Sequence, residues 1–182
     1  ILGRQQLFTE NTLTPIIPLL DKESHVRIAH VARLWMVVLV ANLVGAALFA
    51  WGIARLEFFD PQIGQAFHEI GVEATRGSFA RLFVGGVFAG WLVALIVWLQ
   101  PSAETAKLHV IIILSYLIGI AGFPHIIAGT VEVLYLVAEQ HTSLGHYLTS
   151  YMIPVLLGNT IGGVLLVAAL NYGQVSAGEE KG

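Results

Sequence analysis

The sequence is short of charge and contains no cysteine. Only 12% of its 182 residues are charged, where soluble domains carry about 25%. The lack of cysteine excludes a disulfide framework and a thiolate metal site. The formal net charge is −3, and no basic cluster indicates a nucleic-acid partner. There is also no phosphate-binding Walker loop, zinc-protease helix or serine-nucleophile turn. These absences argue against an enzyme, a cofactor and a nucleic-acid-binding protein.

Apolar residues, by contrast, make up 56% of the chain. A helix needs about 20 apolar residues to cross the hydrocarbon core of a bilayer. Uncharged stretches at Leu34–Ala54, Leu82–Leu99 and Met152–Leu170 are candidates for complete crossings. Together they predict an all-α membrane protein.

Two further stretches predict helices that are broken inside the membrane. Val110–Ala138 is too long for one crossing and is interrupted at Pro124 and His125, so we expect two half-helices that meet near the midplane. Ile1–Leu20 contains polar residues that cannot face lipid, and we interpret it as the tail of a second broken span. Because the chain starts with isoleucine rather than methionine, we expect it to begin inside a longer protein.

Polar segments connect these stretches. In the longest, Arg55–Arg81, apolar residues recur at helical spacing and predict a helix on the membrane surface. Lysine and arginine number five on the side that holds residues 21–33, 100–109 and the C-terminal tail, against three on the other side. That excess predicts a cytoplasmic C-terminus. The apolar residues of the surface helix are Phe59, Ile63, Phe67 and Ile70.

An internal match indicates a repeat. The segments 41–48 and 158–165 both read small-Asn-x-aliphatic-Gly-small-x-Leu. Thr9, in the first break, precedes Asn42 by 33 residues, and His125, in the second, precedes Asn159 by 34. We predict one domain over 1–182 with inverted halves at about 1–56 and 79–172, as in many channels and transporters. By symmetry, we expect a six-helix 3+3 protein whose first span and a half lie upstream of Ile1.

The break residues are the candidates for a solute path. Histidine has an unperturbed pKa of about 6.5, so His125 is suited to donate a hydrogen bond or a proton to a solute; the alternative is a buried imidazole that satisfies backbone freed by Pro124. Leu7 and Phe8 are candidates for an apolar constriction, and Thr9 for a donor to the solute, the alternative being loop packing. The other histidines are scattered, and their spacing indicates no haem or metal site.

Other polar residues in the apolar stretches have a structural interpretation. We expect Glu10 and Asn11 to cap the half-helix that follows them, and Asn42 and Asn159 to bond broken-helix backbone or neighbouring helices. Glu132 is predicted to pair with a neighbouring Arg or His or to face a vestibule. Two small-residue motifs, Gly86-x-x-x-Gly90 and Gly158-x-x-x-Gly162, predict close helix packing.

At these positions the chain resembles the formate/nitrite transporter family. The resemblance rests on Leu7-Phe8-Thr9, on Gly122-Phe123-x-His125 and on Gly158-Asn159-x-Ile161-Gly162-Gly163, in order and spacing. It implies an aquaporin-like six-helix protomer in a homopentamer of the bacterial inner membrane, with a pore for small monovalent anions in each protomer. It also implies that His125 is the family's central histidine and that Leu7, Phe8, Thr9 and Val93 line constrictions.

The sequence departs from the family pattern around the histidine. The family usually has Glu, Ser and Asn at the positions of Pro124, Ile126 and Gly129. The family's asparagine in the fourth span falls on Gly90. A lysine common before that span aligns with Ala74, with Arg76 and Arg81 nearby. The pore is therefore expected to be more apolar than in the family.

These observations predict a passive or proton-coupled channel for a small monovalent anion such as formate or nitrite, in a lipid bilayer. Two alternatives stay open. The missing polar groups also favour passage of a neutral solute or a protonated weak acid. The first is a channel for such a solute, and the second is a membrane subunit that kept the fold without transport.

Overall fold

The structure is a computed structural model that describes residues 6–20, 25, 27–56 and 59–169. Within those ranges all regular structure is helical. A short turn at Glu10–Thr12 and one helical turn at Ile17–Leu20 precede the longer helices. These helices are α1 (Ile28–Arg55), α2 (Pro61–Ala74), α3 (Phe79–Ala103), α4 (Lys107–Ile120), α5 (Ile126–Ala138) and α6 (residues 144–169).

The predicted spans are confirmed as helices. Helical stretches at Ile28–Arg55, Phe79–Ile120 and Leu144–Leu165 are long and apolar enough to cross a membrane, and α5 is a shorter apolar helix. The last span begins at Leu144 rather than Met152. Its predicted end at Leu170, the tail after it, and residues 1–5 lie outside the described residues.

The predicted connection at residues 100–109 is much shorter than expected. Helix α3 continues through Pro101 to Ala103, a single turn spans Glu104–Ala106, and α4 starts at Lys107. Pro101 lies within the last turn of α3, and Glu104 takes a φ of 35° that ends the α-helical path. The polar composition of this segment therefore reflects a helix corner rather than a loop.

The predicted surface helix is present as α2 and packs against α5. The Phe67 ring meets the rings of Phe59 at 5.4 Å and Tyr135 at 5.7 Å, both edge to face. Gly71 lies against the backbone carbonyl of Glu132, in a space that a side chain would fill. Ile63 and Ile70, at the flank of this packed face, stay exposed. This amphipathic placement agrees with the spacing of apolar residues in the sequence.

Helices α3 and α6 pack through their small residues, as predicted. A side chain at Gly86 would meet the Val155 carbonyl oxygen at 3.2 Å. Gly158 and Gly162 likewise face backbone atoms of α3. Because lipid offers no hydrophobic drive for helix association, such close backbone contact is a main source of packing energy in membranes.

Candidate functional site at the helix breaks

The second break lies between the end of α4 at Ile120 and the start of α5 at Ile126. Gly122 takes a φ of +60°, a conformation that glycine adopts without steric cost, and so turns the chain out of α4. His125 is extended and caps α5, because its Nδ1 accepts a hydrogen bond from the Ala128 amide at 3.3 Å. With Nδ1 used as an acceptor, a neutral imidazole carries its hydrogen on Nε2. That hydrogen is a donor that the cap does not use.

Asn159, on α6, holds this break in place. Its Oδ1 accepts the Ile126 amide at 2.9 Å, and its Nδ2 donates to the Pro124 carbonyl at 3.1 Å and to the Gly86 carbonyl at 2.9 Å. The side chain is fully buried. Backbone groups freed by a break are costly in an apolar setting unless they are paired. The predicted structural role of Asn159 matches this geometry.

The first break uses the equivalent bond. Oδ1 of Asn42 accepts the Phe8 amide at 2.8 Å, a pairing across 34 residues, where Asn159 and Ile126 pair across 33. The two asparagines that the sequence match aligns thus make the same kind of bond to the two breaks. Thr9 then joins the halves, because its hydroxyl donates to Oδ1 of Asn159 at 3.3 Å.

Glu10 and Asn11 both bond backbone that precedes them, and the predicted capping of the half-helix after them is wrong for Asn11. Glu10 accepts the Leu7 amide at 3.0 Å, and the Asn11 amide nitrogen donates to the carbonyls of Gln6 and Leu7, both at 3.0 Å. Within the described residues, the Asn11 side chain therefore bonds the residues before it and not the half-helix after it. A tight turn begins at Glu10. Backbone groups of Gln6 and Leu7, just before this turn, need hydrogen-bond partners, and the side chains of Glu10 and Asn11 supply them.

A cavity of about 700 Å³ lies beside the second break. It is lined by His125 and Phe123 from the break and by Glu132 from α5. Glu132 thus faces a vestibule, one of its two predicted settings. The cavity is also lined by the exposed Arg76 and Arg81, near the position of Ala74, and by a second acid, Glu73. Arg76 also pairs with Glu73 at 2.8 Å.

The other candidates lie away from this cavity. Leu7 is 40% exposed. Phe8 is buried in a cluster that contains Ile126 and meets the Trp35 ring edge to face at 6.2 Å. Thr9 and Val93 are buried. Among the described residues, then, the cavity wall contains His125 but none of the constriction candidates.

Gly90, which the sequence placed on the solute path, lies at a tight helix contact. Gly90 is fully enclosed between α3 and α6, and a side chain there would run into the backbone of Asn159. Glycine at this position lets α6 come close enough for Asn159 to reach Gly86 and the break. The position serves helix packing, which the glycine motif in the sequence had also indicated.

Sequence reasoning missed Tyr151. Its hydroxyl donates to the His125 carbonyl at 3.2 Å and lies in the space that a side chain at Gly129 would need. Thr130 and Tyr147 form a second buried pair, 2.9 Å apart. The glycine that replaces an asparagine at 129 thus makes room for a hydroxyl from α6. The sequence would have indicated this contact only if Gly129 and Tyr151 had been considered together.

Asn159 joins the two helix breaks, and His125 of the second break lies on a cavity wall. With several helices apolar enough to cross a membrane, this arrangement is that of a multi-span membrane protein with polar groups inside its helix bundle. A family model described as formate/nitrite transporter matches residues 1–173. The chain belongs to this family, which is one of transporters and channels. The family predicted from the sequence motifs is confirmed.

Known proteins agree with this placement. The inner membrane protein YfdC of Escherichia coli strain K12 is 35% identical over 175 residues, covering 96% of this chain and 56% of YfdC. Formate channel FocA of the same strain is 26% identical over 180 residues, covering 86% of this chain and 63% of FocA. A solved pentameric formate channel with formate bound matches with a TM-score of 0.78 and 25% identity, over 94% of this chain and 75% of that one. This match confirms the predicted all-α membrane fold.

Proposed function

We propose that the protein conducts a small monovalent anion, such as formate or nitrite, through a pore in each protomer, passively or coupled to protons. One observation carries the proposal: His125 lies at a helix break, on the wall of a cavity that Arg76 and Arg81 also line. Cationic side chains at a mouth raise the local concentration of anions, and a histidine donor can replace hydrogen bonds that an anion loses with its water.

The meeting of the two breaks supports a continuous path. The Thr9 hydroxyl and the amide that follows His125 both donate to Oδ1 of Asn159, at 3.3 Å and 2.9 Å. In the proposed mechanism, Leu7, Phe8 and Val93 strip water from the anion. Thr9 then turns its hydroxyl from Oδ1 of Asn159 to the anion, His125 supplies a further hydrogen bond, and protonated His125 neutralises the charge. An unpaired charge in hydrocarbon costs at least about 2.5–3.5 kcal/mol, so such compensation is required.

We further propose a homopentamer in a bacterial inner membrane with a cytoplasmic C-terminus. The outer surface of α1 supports a large apolar contact with lipid or neighbouring protomers. Only Val31, Ala46 and Ala50 are buried on this 28-residue helix, while Leu48 is 67% and Phe49 61% exposed. One relative is named an inner membrane protein, and the solved relative is titled a pentamer.

A neutral solute or protonated weak acid is the second candidate. It is favoured by the surroundings of His125, where Ile126 is fully buried and the Tyr151 hydroxyl is already bonded to a backbone carbonyl. Such a centre offers a passing solute fewer donors than the family pattern implies.

Stopped-flow uptake into liposomes tests the proposal. The full-length protein and a His125→Phe variant would be given formate, nitrite, acetate, hydrosulfide and water. We expect anion uptake above that of empty liposomes, its loss in the variant, and a matching anion current in planar bilayers. Uptake without current supports the neutral solute. The absence of any flux, or equal flux in the variant, contradicts the role given to His125.

A further inference from the structure

Outside the cavity, three side chains with metal-binding atoms converge where α2 meets the end of α5. Glu139 directly follows α5, His141 lies in the next loop, and His68 belongs to α2. Oε2 of Glu139 is 3.7 Å from Nδ1 of His68 and 3.8 Å from Nε2 of His141. The two imidazole rings meet edge to face at 4.4 Å. One ligand atom from each residue fits within 4.8 Å of the others.

The donor set has the chemistry of a transition-metal site. Two imidazoles and a carboxylate form a common zinc triad, and they leave a fourth position for water. Ligand atoms bound tetrahedrally at about 2.0–2.2 Å lie about 3.4 Å apart. The carboxylate oxygen is already 3.7 Å and 3.8 Å from the two histidine nitrogens. Because the three ligand atoms lie within 4.8 Å of one another, side-chain movement of about 1.4 Å at most brings every pair to the tetrahedral spacing. The side chains of His68, Glu139 and His141 are 34%, 28% and 56% exposed, so an ion can reach them from solvent.

The carboxylate is already oriented for this task. The Tyr135 hydroxyl donates to Oε1 of Glu139 at 2.8 Å, leaving Oε2 directed at the two histidines. Hydrogen bonds of this kind to a ligating carboxylate typically fix its geometry in metal sites. The end of α5 is held as well, because Arg55 donates to the Ala138 carbonyl at 3.0 Å.

We propose that His68, Glu139 and His141 bind a divalent transition-metal ion of the zinc class, which ties α2 to the end of α5. Helix α2 also contributes Ile70 and Glu73 to the wall of the cavity that contains His125. An ion bound here joins that wall to the half-helix that His125 caps. Its expected effect is to rigidify one side of the vestibule.

Metal titration of the purified protein tests the site. The full-length protein would carry no polyhistidine tag, with Zn²⁺ followed by calorimetry and Co²⁺ by the visible absorption of tetrahedral coordination. We expect one ion per protomer with micromolar or tighter affinity. His68→Ala and His141→Ala should each weaken binding at least about tenfold, and Tyr135→Phe by about 10-fold through the lost support of the carboxylate.

His109→Ala is the matched control, since His109 is an exposed histidine on α4 away from the cluster, and it should bind like the parent. His141→Gln guards against misfolding, because the side chain at 141 is largely exposed. Zn²⁺ should also raise the Tm of the parent and leave that of His141→Gln unchanged. Absence of saturable binding, or unchanged binding in a variant lacking both histidines, would overturn the proposal.

Discussion

Replacing Asn159 by alanine should be among the most damaging single changes in the bundle. The substitution removes an acceptor for two donors, Ile126 N and Thr9 Oγ1, and a donor to the carbonyls of Gly86 and Pro124. A buried amide left without a partner costs about 1–3 kcal/mol. The other three bonds add about 0.6 kcal/mol each, the mean found for side-chain bonds in membrane helices. We therefore expect a loss of about 3–5 kcal/mol in the free energy of unfolding.

Asn42→Ala is the matched control, because Asn42 is equivalent in the repeat, is only half-buried and receives a single backbone bond at 2.8 Å. Its expected cost is about 1–3 kcal/mol. Reversible unfolding of the full-length protein in mixed micelles, followed by tryptophan fluorescence, measures both variants. A loss for Asn159→Ala no larger than that for Asn42→Ala would refute the view that Asn159 is the central support of the breaks.

Further variants probe packing and charge. Gly90→Ala should destabilise the protein by about 1–3 kcal/mol through overpacking against α6. Gly45→Ala is its control, because Gly45 has open space around it, and it should stabilise the protein by up to about 1 kcal/mol. Equal midpoints of thermal unfolding for the two variants would contradict this. Gly129→Ala should be poorly tolerated alone but partly rescued by Tyr151→Phe, which removes the clashing hydroxyl, so the double variant should unfold at a higher temperature than Gly129→Ala. Arg81→Gln should slow anion uptake at low salt more than at high salt, and a loss independent of ionic strength would argue against electrostatic attraction at the mouth.

The crossings and breaks could be predicted because they follow from local sequence. Long uncharged runs mark spans, and Pro124 inside such a run marks an interruption, since proline cannot donate the helical hydrogen bond. The bonds of Asn42 and Asn159 to broken-helix backbone could also be predicted, because each asparagine follows a break at nearly the same spacing. His125 was a candidate from its place at the break, and the resemblance to the family implied the same residue.

What escaped prediction depends on contacts between distant segments. Asn11 has many possible backbone partners, and only the folded loop decides between residues before and after it. The Tyr151 hydroxyl fills the space at Gly129 from another helix, which no local pattern reveals. The histidine–glutamate cluster joins His68 to residues more than 70 positions later, so spacing along the chain gave no sign of it.

Solvent accessibility at position 125 tests the central claim most directly. The measurement is the rate at which a membrane-impermeant methanethiosulfonate modifies a full-length protein whose single cysteine replaces His125, beside a variant with Ile113→Cys on the exposed apolar face of α4. A break that opens on the cavity predicts rapid modification at 125, accompanied by loss of uptake, and little modification at 113. A cysteine at 125 that reacts no faster than the one at 113 would contradict the account.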